Sequence, residues 1–165
     1  MTLFVASVSG QNAPSLTSSP EYRNAIGIRA GKTSGITFKH FFNTGNSGEA
    51  ILGLWSNAVG LTLLYQKNMS LGLPGLKFYY GAGGHATVET GHNYYRKHDN
   101  KDQNYVARYG ENGLAAGIDG VAGLDYKIGV IPLAVSVEIK PFLEVSNYGI
   151  IYTALDAGLG IKLAF

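Results

Sequence analysis

The sequence predicts an all-β fold, an up-and-down barrel of eight antiparallel strands, and three observations predict it. The first is composition. Of 165 residues only 15% are charged, while 23 are glycine and 11 are tyrosine. A typical soluble domain has about 25% charged residues and about 7% glycine. Tyrosine favours strands, and glycine permits tight turns and bends between them. The second is a strict period-two alternation of apolar and polar residues in the C-terminal third. The third is turn chemistry: clusters of Gly, Asn, Ser and Pro recur between the alternating runs.

Taken in order from Asn24, the predicted strands are Asn24–Gly31, Ile36–Phe42, Ala50–Trp55, Val59–Gln66, Lys77–Glu89, Leu114–Ile128, Leu133–Val145 and Leu155–Phe165. The first two are parted by Lys32-Thr33-Ser34-Gly35, and the second and third by Asn43 to Gly48. Ser56-Asn57 divides the third from the fourth, although Ala50 to Leu64 also reads as one long bent strand. Asn68 to Gly75 precedes the fifth, and Gly129 to Pro132 joins the sixth to the seventh. The sixth strand sets Leu114, Ala116, Ile118, Gly120, Ala122, Leu124, Tyr126 and Ile128 on one face, opposite Asp119, Asp125 and Lys127. In the seventh, Leu133, Val135, Val137, Ile139 and Leu143 oppose Ser136, Glu138, Lys140 and Glu144. In the eighth, Leu155, Ala157, Leu159, Ile161, Leu163 and Phe165 oppose Asp156 and Lys162. Side chains alternate across a strand, so each of these has one apolar and one polar face.

Several classes are excluded. A net charge of +2 without a basic run does not suit nucleic acid. The absence of cysteine excludes disulfides, cysteine–zinc sites and thiol nucleophiles. No stretch approaches the ~18 consecutive apolar residues of a spanning helix, whereas a spanning strand needs only about 10, apolar at alternate positions. Residues 1–20 are expected to be the remnant of an export signal followed by a polar linker, with Leu3-Phe4-Val5-Ala6 as its apolar part. Residues 21–165 then form the barrel.

Alternation leaves open whether the apolar faces point inward or outward. Three features favour outward, toward lipid. The presumed inward charges balance: Arg29, Lys39, Lys77, Lys127, Lys140 and Lys162 stand against Glu89, Asp119, Asp125, Glu138, Glu144 and Asp156. The longest connection, Thr90–Gly113, is the fifth, on the side where outer-membrane barrels carry long loops if the first strand starts in the periplasm. The C-terminal run Gly160, Leu163, Phe165 resembles the signal read by the outer-membrane assembly machinery. Gly158 stands where that signal has a polar residue, so the match is partial. The face of Leu133, Val135, Val137 and Ile139 is therefore predicted to point outward. An interior network is predicted to link Asp119, Asp125, Glu138, Lys140, Asp156 and Lys162 on adjacent strands.

Five segments carry a family resemblance: Gly35-Ile-Thr-Phe-Lys-His-Phe, Gly48-Glu-Ala-Ile-Leu-Gly, Phe78-Tyr-Tyr-Gly-Ala-Gly-Gly-His, Gly117-Ile-Asp-Gly-Val-Ala-Gly-Leu-Asp-Tyr-Lys and Ile131-Pro-Leu-Ala-Val-Ser-Val-Glu-Ile-Lys-Pro. The chain from Arg23 to Phe165 resembles small bacterial outer-membrane β-barrel proteins, broadly similar to OmpA-like and OmpX-like eight-stranded barrels. The resemblance implies a transmembrane barrel in a Gram-negative outer membrane and no particular activity.

Candidate chemistry is sparse. His85 and Glu89 share the inward face of the fifth strand, and Ser136 lies inward on the seventh, but no nucleophile motif surrounds the serine. His85 is instead expected to be an interior residue bonded to a neighbouring carboxylate. His92, His98, Asp99 and Asp102 crowd the long loop at spacings that match no metal-ligand pattern. Gly81-Ala-Gly-Gly84 is not followed by a helix and is read as a barrel bend, not a phosphate loop. Tyr79, Tyr80, Tyr94, Tyr95, Tyr126 and Tyr152 are candidates for aromatic girdles at the membrane boundaries.

No catalytic, cofactor-binding or metal-binding residue is assigned, and no cofactor is expected. The expected role is structural or surface interaction, with a side-chain-filled interior instead of a wide pore. Expected partners are outer-membrane lipids, the assembly machinery through Phe165, and a surface partner of the Thr90–Gly113 loop. One alternative is a soluble exported lipocalin-like barrel for an apolar ligand; it lacks a Gly-x-Trp motif, the single tryptophan being Trp55. The other is an outer-membrane enzyme modifying lipids or peptides, which requires a tight polar cluster.

Overall fold

The computed structural model describes residues 22–55, 58–89, 95–96, 107–108, 113–147, 149 and 151–165. Eight strands close into one antiparallel up-and-down barrel. They are β1 (Asn24–Gly31), β2 (Gly35–Phe41), β3 (Asn46–Trp55), β4 (Ala58–Ser70), β5 (Leu76–Glu89), β6 (Gly113–Ile128), β7 (Leu133–Ser146) and β8 (Ile151–Ala164). Tyr95–Arg96 and Ala107–Arg108 form a separate two-residue ladder. Each barrel strand pairs with its chain neighbour, and β8 returns to β1 with Ala25 opposite Ala164 and Gly31 opposite Gly158. Closure pairs Gly158–Ala164 of β8 with β1, and the longer β8 runs past the end of β1 from Ile151 to Ala157.

The predicted strand set is observed, with three boundaries moved by four residues: β8 opens at Ile151 and not at Leu155, β3 opens earlier, and β4 closes later. Asn46, Ser47 and Gly48, expected in a turn, open β3, and Asn68, Met69 and Ser70 close β4. Turn-forming residue types sit in these strands because the barrel interior is polar. Ser47 and Asn68 both point inward, where Asn68 Nδ2 donates to Ser47 Oγ at 2.9 Å. The true β4–β5 turn is shorter and lies at Leu71–Gly75. There Gly72 and Gly75 both adopt φ +82°, a conformation that side-chain-bearing residues rarely take.

The two ends of the barrel differ. The connections β2–β3, β4–β5 and β6–β7 share one end with Tyr22 and Phe165, where Asn24 N donates to Phe165 O at 2.7 Å. This is the terminal end. The connections β1–β2, β3–β4, β5–β6 and β7–β8 lie at the other, the loop end.

Side-chain direction decides the character of the barrel. The apolar rows point outward: Ile28, Ile118, Leu159 and Ile151 are each about two-thirds exposed. Val135, Val137 and Ile139 are exposed as well, as the sequence predicts. Polar and charged rows point into the lumen. Among the described residues, few apolar side chains lie inside. Tyr22, Ala25, Phe41, Ala134 and Ala164 cap the terminal end, with the Tyr22 and Phe41 rings perpendicular at 5.1 Å. Ile51, Leu64, Tyr79 and Val121 form a second small cluster.

Candidate functional site

The lumen holds five buried basic side chains, Arg29, Lys39, Lys77, Lys140 and Lys162, and six buried acidic ones, Glu49, Asp119, Asp125, Glu138, Glu144 and Asp156. An isolated charge is too costly to bury; most of these are held in ion pairs and hydrogen bonds, and Lys77 Nζ lies over the rings of Tyr22 and Phe41 at 5.4 and 5.0 Å. Arg29 donates from Nε to Glu138 Oε1 at 2.6 Å and from Nη1 to Asp156 Oδ2 at 3.0 Å. Asp156 also accepts the Lys32 and Thr33 backbone amides, which fixes the β1–β2 turn to β8. Lys162 Nζ donates to Glu49 Oε1 at 2.6 Å; the same carboxylate accepts from Gln66 Nε2 at 2.7 Å and from the Thr37 hydroxyl. Lys39 Nζ lies 3.5 Å from Asp125 Oδ2 and 4.2 Å from the centre of the Tyr79 ring. The Tyr79 hydroxyl donates to Glu138, and that of Tyr22 to Asp125.

These pairs differ from the predicted network in two respects. Of its six members only Asp119 and Lys140 pair with each other, while Asp125 pairs with Lys39, Glu138 and Asp156 with Arg29, and Lys162 with Glu49. The pairs also do not keep to neighbouring strands. Asp119 with Lys140 and Arg29 with Asp156 join adjacent strands, but Lys162 reaches from β8 to β3 and Lys39 from β2 to β6. An eight-stranded barrel is only wide enough for side chains to fill. A lysine stem therefore finds its partner across the lumen as readily as beside it. Lys127, expected inside, lies at the rim, where Nζ donates to the carbonyls of Gly129 and Ile131. Glu49, outside the predicted strand, is in the lumen. The Glu89 side chain lies outside the described residues.

Filling is uneven along the axis, which amends the expectation of a filled interior. The terminal-end half is occupied by the cap and the bridging pairs. Toward the loop end a chamber of about 260 Å³ remains, lined by Lys32, Thr33, Gly60, Thr62, His85, Thr87, Lys140, Phe142, Glu144 and Tyr152. Its charged wall is one connected group. Asp119 accepts from Lys140 Nζ at 2.8 Å and bonds His85 Nδ1 at 2.7 Å, while His85 Nε2 lies 3.2 Å from Glu144 Oε2. The aromatic wall is Phe142, whose ring lies 5.6 Å from that of His85 and 5.7 Å from that of Tyr152.

His85 is thus an interior residue held by carboxylates. Both ring nitrogens are engaged, so neither is presented to a serine. Ser136 is buried opposite Asp125 and Gly160 in the strand register, in the terminal-end half, away from His85 opposite Thr62 and Gly117. The structure does not bring the two together. Gly81, Gly83 and Gly84 lie within β5. A Cβ at Gly81 or Gly83 would run into the backbone of β4, which accounts for glycine there without a ligand. His92, His98, Asp99, Asp102 and Tyr94 lie outside the described residues, as does the Tyr95 side chain. Among the described residues no group of three or more His, Asp or Glu could hold a metal ion.

The tyrosines divide. Tyr80 and Tyr126 face outward, whereas Tyr79 is buried in the lumen and Tyr152 lines the chamber. Sequence reasoning missed Phe142, Thr62 and Thr87 as chamber residues. For Phe142 the signal was present: it continues the inward row of Ser136, Glu138 and Lys140.

Eight antiparallel strands close into an up-and-down barrel with a bridged, charged lumen and most of its large aliphatic residues on the outer face. No family model, curated protein or solved structure matches the chain.

Proposed function

We propose that this protein is an integral outer-membrane β-barrel of a Gram-negative bacterium, with a structural or surface-interaction role. The observation that carries the reading is the inversion of the barrel. Leu159 is 64% exposed while its neighbours in β8, Gly158 and Gly160, face a lumen in which Lys39 and Asp156 are fully buried. Exposed apolar patches on soluble proteins rarely exceed a few hundred Å². Here the apolar surface encircles the barrel, which suits hydrocarbon and not water. A lipocalin-like carrier needs the reverse arrangement, an apolar lumen for its ligand.

Aromatic side chains support an interface at the terminal end. Phe42, Tyr65, Tyr80, Tyr126 and Phe165 are all outward-facing there, and Phe42 and Tyr65 stack with ring centres 6.3 Å apart. Such rings favour the headgroup level. The bridging pairs and the terminal-end cap oppose a wide diffusion pore. Lipids are the immediate partners. The assembly machinery engages β8 and Phe165, and the connection between β5 and β6 is the surface contact element. The resemblance to OmpA-like and OmpX-like barrels agrees with this assignment.

Cell fractionation with gel migration before and after heating tests it. The protein is expected in the outer-membrane fraction, resistant to carbonate extraction, and faster-migrating before heating than after. Recovery in the soluble periplasmic fraction would overturn the proposal.

A further inference from the structure

We infer that the loop-end chamber is a binding site for a small neutral polyhydroxylated ligand, a single sugar ring. The inference rests on the chamber's walls and holds whether or not the barrel lies in a bilayer.

Size sets the first limit. Pockets for drug-sized ligands are roughly 300–1,000 Å³, so a chamber of about 260 Å³ takes something smaller. That volume suits one ring and not a chain.

Charge sets the second. Lys140 is paired with Asp119, and His85 is bonded to both Asp119 and Glu144. At these groups an ionic ligand would have to break a buried pair to gain a partner, which is strongly unfavourable; the remaining charge of the lining, Lys32, lies at the exposed rim. A neutral ligand instead uses capacity that the pairs leave over. An ammonium has three donors and a carboxylate several acceptor sites.

Two buried hydroxyls supply the third. Thr62 and Thr87 are 3% and 7% exposed and line the chamber. Neither hydroxyl bonds another group among the described residues. Both hydroxyls open onto the chamber, where a ligand hydroxyl can take the place of water, and two of them on one wall offer paired donors and acceptors to a diol.

The fourth is Phe142. Alternation places it on the inward row between Lys140 and Glu144, facing the chamber beside Tyr152. A ring there is an apolar platform amid polar groups, the combination that recognises a molecule with one C–H face and an equator of hydroxyls.

The full chain folded in detergent micelles is titrated with glucose, galactose and N-acetylglucosamine, and for contrast with inorganic phosphate and glycine. At least one sugar is expected to bind with millimolar Kd and to show intermolecular NMR contacts to the Phe142 or Tyr152 ring protons. Thr62→Val with Thr87→Val keeps side-chain shape and removes both hydroxyls. Each lost hydrogen bond is worth roughly two- to tenfold, so the double variant should weaken binding about four- to a hundredfold. Phe142→Leu should also weaken it, and the ring contacts in the unmodified protein decide the matter if either variant fails to fold. Failure of all three sugars to bind overturns the inference. So does binding of phosphate or glycine in their place, sugar binding without ring contacts, or sugar binding that folded variants leave unchanged.

Discussion

Glu49 and Lys162 face each other across the lumen from β3 and β8, with side chains almost completely buried. Neither is stabilised by solvent, so each depends on the other and on the Thr37 and Gln66 donors around Glu49. Replacing Lys162 with Met strands a carboxylate, at a cost of about 3–5 kcal/mol. Replacing the pair together, Glu49→Leu with Lys162→Met, should recover most of that loss. Urea unfolding in detergent measures both, and a double variant no more stable than Lys162→Met would refute mutual dependence. Alternation alone places Lys162 in the lumen, because every second residue of β8 points there. Its partner was not legible. Glu49 follows Asn46-Ser47-Gly48, which reads as a turn in any context where polar residues belong outside. Only closure of the barrel shows that β3 begins earlier and that an inward polar row is the rule.

The strands β6 to β8 were the most legible elements, since each carries a long run in which the charges keep to one face and, Val121 aside, the large aliphatic residues to the other. The N-terminal strands were less so. They are short, and their inward positions hold small or neutral residues such as Gly27, Gly35 and Thr37, which blur the alternation. The chamber was not legible at all. It arises from four separate strands and from the absence of large side chains at Gly60, Thr62 and Thr87, a property of the assembled lumen. The last strand has its own test. Phe165 lies just beyond β8, exchanges backbone hydrogen bonds with Asn24, and is 61% exposed. Full burial of such a ring contributes about 1.5–3 kcal/mol, too little to decide whether a barrel forms. Phe165→Ala should therefore reduce insertion in cells far more than it reduces refolding into micelles. Equal losses in the two assays would assign Phe165 to stability alone, and no loss in either would remove it from assembly.

At the scale of the whole molecule, one substitution separates a bilayer from water as the surrounding medium. Leu159 points outward from the middle of β8, beside Ala30 of β1 and Val137 of β7. On a soluble surface Leu159→Arg should change stability by no more than about 0.5 kcal/mol. In a bilayer an arginine near the midplane costs about 2–4 kcal/mol. The variant should thus fold less stably in lipid vesicles by that amount, read from denaturant titration. A neutral effect there would speak against lipid contact at this face. The wall around the lumen is also uneven: β1 and β2 have 8 and 7 residues, against 13 to 16 in each strand from β4 to β8. Short strands have fewer ladder bonds to break in a local opening, and opening is what lets a protected amide meet solvent. The barrel should therefore breathe at its first hairpin. In heavy water, deuterium should enter the amides of β1 and β2 well before those of β5 and β6. Uniform protection around the ring would mean that the side chains bridging the lumen, and not the ladders, set the tempo of its motions.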